Sequence, residues 1–211
     1  MTQLKRCIFE PISEIFEAVR LLNEVVSAHL EGRSNEAERL LRKANIWEIH
    51  EWSEKMWGKQ PRDWSGYDPN PPPVLPEERR APEYIPVGVK KEILKRDGYI
   101  CRFCGIPVID KRAKKILKQA YPETIPIENN MSNEGKHKAF QAMDRNPDHL
   151  LPRSRGGTNT QDNLVVACAP CNCGRGERTL ADMKLEDPRR RPVRKTPLQG
   201  PNGWTGLSQL M

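Results

Sequence analysis

The segment Asp148–Arg178, with the sequence DHLLPRSRGGTNTQDNLVVACAPCNCGRGER, holds most of the residues with which this chain can bind metal or perform chemistry. It contains a Cys-x-x-Cys pair, Cys168 and Cys171, and a second pair, Cys101 and Cys104, lies upstream. Two such pairs supply four thiolates, the ligand set of a closed tetrahedral zinc site, and free buried thiols are the alternative. We therefore predict a structural zinc, which by itself leaves the polar side chains beside the cysteines unexplained.

Four short motifs follow one another in the second half of the chain. They read Cys101-Arg-Phe-Cys104-Gly105, Asp148-His149-Leu-Leu-Pro152-Arg-Ser154-Arg-Gly156-Gly157, Asn163-Leu164 and Cys168-Ala-Pro-Cys171-Asn172. Their order resembles the HNH endonuclease family, and the resemblance extends over roughly residues 83–211. It implies a two-stranded hairpin followed by a helix, wrapped around one catalytic metal ion. Asn172 stands where many members of that family have histidine.

The resemblance implies a catalytic role for four polar residues. Asp148 and Asn172 are expected to hold a catalytic divalent ion, because Mg²⁺ and Mn²⁺ favour carboxylate and amide oxygens. His149 is the expected general base, since an imidazole with an ordinary pKa of about 6.5 can accept a proton from water at neutral pH. Asn163 is expected to hold its loop and to orient His149. Each residue also has a structural alternative, such as capping a turn or a helix or forming a hydrogen bond within a strand.

Positive charge is concentrated in the same half of the chain. The whole chain has a net charge of +7, and residues 86–118 alone carry ten basic and three acidic side chains. Lys and Arg side chains that neutralise phosphates release counterions, so this distribution favours nucleic acid as a partner, and DNA is the expected substrate. Arginines near the motifs are candidate phosphate contacts, although any single one can be a solvated charge. They are Arg153, Arg155, Arg175 and Arg178.

Composition divides the chain into four regions, and the expected fold class is α+β. The regions are an N-terminal helical hairpin (1–57), a Pro-rich linker (58–86), a zinc-stapled nuclease domain (87–186) with a helical insertion (106–147), and a basic Pro/Gly-rich tail (187–211). Apolar side chains at three- and four-residue spacing predict the hairpin, whose remaining apolar surface would need either a partner or the nuclease domain. The hairpin is expected to interact with a protein partner or to regulate cutting. The arms of the nuclease hairpin are expected at Leu150-Leu151 and at 164–166. The tail is expected to be loosely ordered.

The chain shows no sign of membrane insertion or secretion. It contains no apolar run of about 18 residues, and its first residues, MTQLKRC, lack the apolar stretch of a secretion signal. Six cysteines in such a chain favour reduced thiols and metal binding over disulfides. We therefore expect a cytoplasmic protein without a membrane partner.

The function predicted from these features is hydrolysis of DNA phosphodiester bonds, by nicking or by double-strand cutting. It would use a structural Zn²⁺ and a catalytic Mg²⁺ or Mn²⁺. The resemblance implies a setting in anti-phage defence or in mobile elements, where HNH proteins of this build occur, and defence is the one expected. Two alternatives stay open: a non-catalytic zinc module that binds nucleic acid and recruits a partner, and a nuclease that acts on RNA.

Overall fold

The computed structural model describes residues 4–57, 75, 77, 84–128, 130–194 and 204–211. Within these ranges the chain combines α-helices with one two-stranded sheet, an α+β composition. The elements are α1 (Ser13–Leu30), α2 (Ser34–Ala44), α3 (Trp47–Trp57), α4 (Val87–Asp97), α5 (Lys111–Ala120), α6 (Lys138–Ala142), β1 (Arg145–His149), β2 (Leu164–Cys168) and α7 (Ala169–Arg175). Most of the predicted Pro-rich linker lies outside the described residues. None of the described helices is both long enough and apolar enough to cross a membrane.

The N-terminal region contains three helices, where the sequence predicted a pair. Helix α1 buries a stripe that includes Ile15, Val19 and Leu22, the three- and four-residue spacing of one helix face. Gly32, with a φ of +75°, turns the chain into α2, which packs against α1. A break after α2 then starts α3 as a separate helix.

The N-terminal helices pack against the segment that was predicted as an insertion. His137, just before α6, is buried, and its Nε2 donates to the carbonyl of Leu41 in α2 at 3.0 Å. A second contact joins α1 to the insertion, where His29 Nδ1 and the Tyr121 hydroxyl are 3.0 Å apart. Apolar residues from both segments belong to one core. The insertion therefore packs against the N-terminal helices and shares their core.

Helix α3 connects the N-terminal region to α7, the last helix of the predicted nuclease domain. At their closest approach, a Cβ added to Gly174 would lie 3.0 Å from both Cβ and the carbonyl oxygen of Met56. The same helix contacts the insertion, since Asn133 Nδ2 donates to Glu54 Oε1 at 2.9 Å. These contacts fix the C-terminal end of α3 close to α7.

One antiparallel hairpin forms the sheet, and its first strand lies earlier than predicted. In the register of β1 and β2, Asp148 is opposite Val165 and His149 is opposite Leu164. The predicted first arm, Leu150-Leu151, follows β1 instead of forming it. The prediction relied on apolar residues, whereas β1 is the polar sequence Arg-Asn-Pro-Asp-His, which owes its strand conformation to pairing with the buried β2.

A proline is tolerated in β1 because the residue opposite it in β2 forms its backbone hydrogen bonds with other segments. Pro147 lies opposite Val166, and proline has no amide hydrogen to offer the ladder. The Val166 amide donates to Asp97 Oδ2 at 2.9 Å, and the Val166 carbonyl accepts from the Arg102 amide at 2.8 Å. Strand β2 is therefore bonded to β1 on one edge and, on the other, to the end of α4 and the first cysteine motif.

Both described parts of the predicted tail pack against the rest of the chain. In residues 187–194, the guanidinium of Arg191 donates to three backbone carbonyls of other segments. In residues 204–211, Trp204 Nε1 donates to the Val108 carbonyl at 2.7 Å. The loosely ordered tail expected from composition is therefore not what these two described parts show.

We predict that His137 makes the fold sensitive to mild acid. Burial lowers the pKa of its imidazole to about 4, against the opposing effect of its bond to the Leu41 carbonyl. In the unfolded chain the pKa returns to about 6.5. As the pH falls from about 6.5 to about 4, only the unfolded state gains the proton, so the folded state loses on the order of 2–3 kcal/mol.

The matched variant is His137→Gln, which keeps a donor for Leu41 but does not titrate. Acid also weakens any bound zinc, but it does so in both proteins. The quantity to compare is therefore the change in urea-unfolding free energy between pH 7 and pH 5. We expect a smaller change in the variant, and an equal change would contradict the assignment.

Candidate active site

Four cysteines from two distant parts of the chain meet in one buried cluster. Cys101 and Cys104 follow α4, whereas Cys168 ends β2 and Cys171 lies in α7. Their sulfur atoms lie within 4.8 Å of one another. The sulfurs of Cys104 and Cys168 are 3.7 Å apart. This separation is close to the edge, about 3.8 Å, of a sulfur tetrahedron around zinc at a Zn–S distance of about 2.3 Å.

The protonation chemistry of the cluster also fits a cation. Burial raises the pKa of the Cys104 and Cys168 thiols, because the protein interior disfavours their charged form. Burial acts on Cys101 in the same direction, but hydrogen bonds from the other three cysteine side chains lower the pKa of Cys101 below its usual value. A zinc ion would displace the protons and hold the sulfurs as thiolates. With all four positions taken by protein sulfurs, this possible zinc site is of the structural kind.

The polar residues predicted to act on substrate line one open cleft of about 410 Å³. Asp148 and His149 come from the end of β1, and Asn172 comes from α7. Arg153 and Ser154 line the cleft from the loop after β1. The structure therefore brings a carboxyl group, an imidazole and an amide to one surface depression.

Asn159, which the sequence analysis did not single out, makes the direct contact with His149. Its Oδ1 lies 2.8 Å from His149 Nε2. An amide oxygen only accepts, so Nε2 carries the hydrogen and Nδ1 keeps its lone pair. Burial lowers the pKa of His149, and the charges of Arg153 and Arg175 act in the same direction, whereas the bond to Asn159 opposes them. The imidazole is therefore neutral at pH 7 and can accept a proton at Nδ1.

Asn163 bonds to the backbone of the loop that carries Asn159. Its Oδ1 accepts from the Leu151 amide at 2.9 Å, and its Nδ2 donates to two loop carbonyls at 2.9 and 3.0 Å. Gly157 packs against the hydrogen bonds between Asn163 and Leu151. A Cβ added at Gly157 would be 1.8 Å from the Leu151 carbonyl oxygen. Only glycine fits at that position. The expected loop-holding contacts of Asn163 are present, and the bond that orients His149 comes from Asn159.

Arg175 pairs with Asp148 inside the protein. The two side chains are 1% and 5% exposed. Arg175 Nε donates to Asp148 Oδ2 at 3.2 Å, and its Nη2 donates to Oδ1. The same guanidinium donates to the carbonyls of His149 and Arg178. Burial raises the pKa of Asp148 to about 6, while the positive charge of Arg175 opposes that shift.

Among the described residues, two of the arginines expected to contact phosphate, Arg175 and Arg155, lie in internal ion pairs. Arg175 is buried against the carboxylate just described, and Arg155 Nη1 lies 3.3 Å from Asp182 Oδ2. In this conformation both guanidinium groups are paired with carboxylates of the protein, Asp148 and Asp182. The distribution of charge along the sequence does not predict these pairs. Arg153 lines the cleft, and Arg178 is half-buried at its place after α7.

We predict that the cysteine cluster binds one zinc ion and that folding depends on it. Cys171→Ser removes one thiolate, so bound zinc should fall to near zero and the free energy of unfolding should fall by several kcal/mol. Cys173→Ser is the matched control on the same helix, because Cys173 is exposed and outside the cluster. Metal analysis and thermal unfolding of both variants test this. Equal zinc contents would contradict it.

We also predict strong coupling between Arg175 and Asp148. Arg175→Met leaves a buried carboxylate without its counter-charge, which should destabilise the fold by about 3–5 kcal/mol. Asp148→Asn in that background removes the charge and should restore part of the loss. Urea unfolding of the parent, both single variants and the double variant should give a coupling energy of about 1–3 kcal/mol. Simple additivity would show that the pair contributes nothing specific.

A comparison with protein-family models matches residues 136–186 to the family described as HNH endonuclease. The matched segment includes β1, β2 and α7 together with the predicted catalytic residues, whereas the first cysteine pair lies outside it. Comparisons with curated proteins and with solved structures give no match. The matched segment is also the part of the fold in which a hairpin and a helix surround the cleft. Residues 136–186, about a quarter of the chain, are therefore similar to the HNH endonuclease family.

Proposed function

We propose that this protein is a metal-dependent endonuclease that hydrolyses phosphodiester bonds of DNA. The family match supports nuclease activity and a nucleic-acid substrate. The proposal is carried by one observation: His149, held by Asn159, lines the same cleft as Asp148 and Asn172. The choice of DNA rests on the sequence resemblance, and the experiment below includes RNA as a competitor.

His149 is the general base of the proposed reaction. The bond from Nε2 to Asn159 fixes the tautomer and limits ring rotation, so Nδ1 can accept a proton from the attacking water. The water oxygen forms a bond to phosphorus while the bond from phosphorus to the 3′-oxygen breaks. The products are a 5′-phosphate and a 3′-hydroxyl group, once the leaving oxygen has gained a proton. Arg153, which lines the cleft, can contact the phosphate during this step.

Asp148 and Asn172 are the residues that would hold a divalent ion. A carboxylate and an amide oxygen suit Mg²⁺ or Mn²⁺, which keep several water ligands of their own. When bound, such an ion supplies charge neutralisation at the phosphate and at the leaving oxygen. A carboxylate has about four lone-pair positions, and Arg175 uses one on each oxygen. Asp148 can therefore bind an ion without first losing Arg175.

The finer features expected from the sequence remain predictions. These are the mode of cutting, a setting in anti-phage defence, a cytoplasmic location and a protein partner for residues 1–57. The insertion packs against those helices, so a partner would have to bind a surface that the insertion leaves exposed.

A non-catalytic zinc module that binds nucleic acid is the second candidate, and the Arg175–Asp148 pair favours it. The guanidinium already neutralises the carboxylate on which a catalytic ion would depend. Such a protein would hold one zinc and no second ion. Titration of Mn²⁺ into the zinc-loaded chain, followed by electron paramagnetic resonance, distinguishes the two functions.

We predict that the zinc-loaded protein cuts supercoiled plasmid in the presence of Mg²⁺ or Mn²⁺. His149→Ala should cut at least about 100-fold more slowly, because the attacking water loses its proton acceptor. Asn159→Ala should cause a smaller loss, since the base remains but is less well oriented. His29→Ala is the control, because His29 lies outside the cleft and contacts Tyr121.

The outcomes separate the alternatives. Cutting by His149→Ala at the parent rate would show that another group is the base. Faster cutting of RNA than of DNA with the same sequence would move the assignment to an RNA nuclease. Absence of cutting combined with absence of Mn²⁺ binding would support the non-catalytic module.

A further inference from the structure

A second groove adjoins the catalytic cleft. Its volume is about 400 Å³, within the range of small-molecule pockets, and its walls come from α3, the insertion and α7. Cys173 lines both this groove and the catalytic cleft, so the two share an edge. Asp144, which immediately precedes β1, also lines the groove. A strand bound in the cleft can therefore pass over Cys173 into the groove.

The groove combines apolar surface with carboxamide groups. Trp57, the last residue of α3, and Ile127 of the insertion supply the apolar surface. Asn133 and Gln141 supply the amides. Asn133 is bonded at both ends, since its Oδ1 accepts from Gln141 Nε2 at 2.7 Å and its Nδ2 donates to Glu54 Oε1 at 2.9 Å, so the Gln141 amide is the one left to meet a base edge. Trp57 Nε1 donates to the same Glu54 oxygen at 2.8 Å, which holds the indole in place. Aromatic rings bind bases by stacking, and carboxamides form hydrogen bonds with base edges. This set of side chains suits a nucleobase better than it suits a phosphate alone.

The groove also offers positive charge. Lys114 Nζ is paired with Asp144 Oδ1 at 2.7 Å, so its charge is largely compensated. Lys136 has no acidic side chain within 4.0 Å in the part of the chain that the structure describes. Its ammonium group is therefore available to neutralise a phosphate beside the bound base.

We propose that this groove binds an unpaired nucleobase of the same DNA strand whose phosphate occupies the catalytic cleft. The proposal rests on the nuclease function proposed above and extends it to substrate binding. It assigns the N-terminal helices a direct part in recognition, because α3 provides Trp57. The close packing of Met56 against Gly174 holds that end of α3 beside α7.

Binding, measured without cutting, tests the proposal. The background is zinc-loaded His149→Ala, with no added Mg²⁺ or Mn²⁺, and the probe is a fluorescein-labelled single-stranded DNA followed by anisotropy. Trp57→Ala should weaken binding roughly 5- to 100-fold, the usual effect of losing one stacked base. Trp47→Ala is the matched control: Trp47 starts the same helix, is 48% exposed and lies outside the groove. It should change affinity less than about twofold.

A scan with abasic DNA identifies the base. One position at a time is replaced by an abasic site, in the parent background and in Trp57→Ala. At one position the abasic site should weaken binding to the parent background at least about fivefold but have little further effect in Trp57→Ala, because ring and base form one contact. Trp57→Phe, which keeps a ring, should retain most of the parent affinity.

Salt dependence tests the phosphate contact at Lys136. Lys136→Gln should reduce the slope of log Kd against log salt by roughly 0.7, the value for one neutralised phosphate of a single strand. Lys43→Gln on α2, outside the groove, should leave the slope unchanged.

The failure of this proposal differs from the failure of the nuclease proposal. Equal binding by the parent and by Trp57→Ala, or an abasic scan without a sensitive position in the parent, overturns the base site while plasmid cutting still stands. If Trp57→Ala loses zinc or helix content, its weaker binding is not counted. The abasic scan in the parent background and the affinity of Trp57→Phe then decide whether the base site exists. Normal base binding without any metal-dependent cutting overturns the nuclease function alone.

Discussion

Four sulfur atoms that are buried together impose the constraint on which the candidate site depends. Thiols in an apolar interior resist ionisation, and a cation that binds them joins the segment after α4 to the end of β2 and the start of α7. Helix α7 has seven residues, which is too short for a helix to be stable on its own. Asn172, Cys173 and Arg175 all lie on it. Their positions therefore follow from the cluster and from the packing of α3 against Gly174 more than from helix propensity.

The pair of Arg175 and Asp148 connects this helix to the hairpin and also sets the electrostatics of the cleft. A buried carboxylate without a counter-charge is costly, so the guanidinium stabilises the fold while no other cation is present. The same pairing reduces the negative charge available to an ion. Asn172 adds an amide, which has no charge. A site with these donors holds an ion less strongly than one with two carboxylates, so a substrate phosphate would contribute more to holding it.

The sequence was sufficient for the residues whose chemistry shows in their spacing. The paired cysteines form the predicted cluster, and the adjacent Asp148 and His149 reach one cleft. Other features depend on contacts between distant residues. Asn159 is one of several polar loop residues until folding places it 2.8 Å from His149. Arg175 looks like a solvent-facing charge until its buried partner is known. Strand β1 contains a proline and polar side chains, and only its pairing with β2 makes it a strand.

The contacts of residues 1–57 also bear on the role that was predicted for that region. The sequence predicted an apolar surface that needs either a partner or the nuclease domain, and the contacts favour the second, because His137 bonds to α2 and the shared core continues into the insertion. A helix that completes the core cannot leave without exposing apolar surface, which opposes folding by about 25 cal/mol for each Å². Helix α3 contacts both the insertion and α7, so its position is fixed from two sides. Trp57, the residue proposed to stack on a base, is the last residue of this helix. Its position depends on the core that holds α3. A change that loosens the packing of the N-terminal region should therefore also weaken substrate binding.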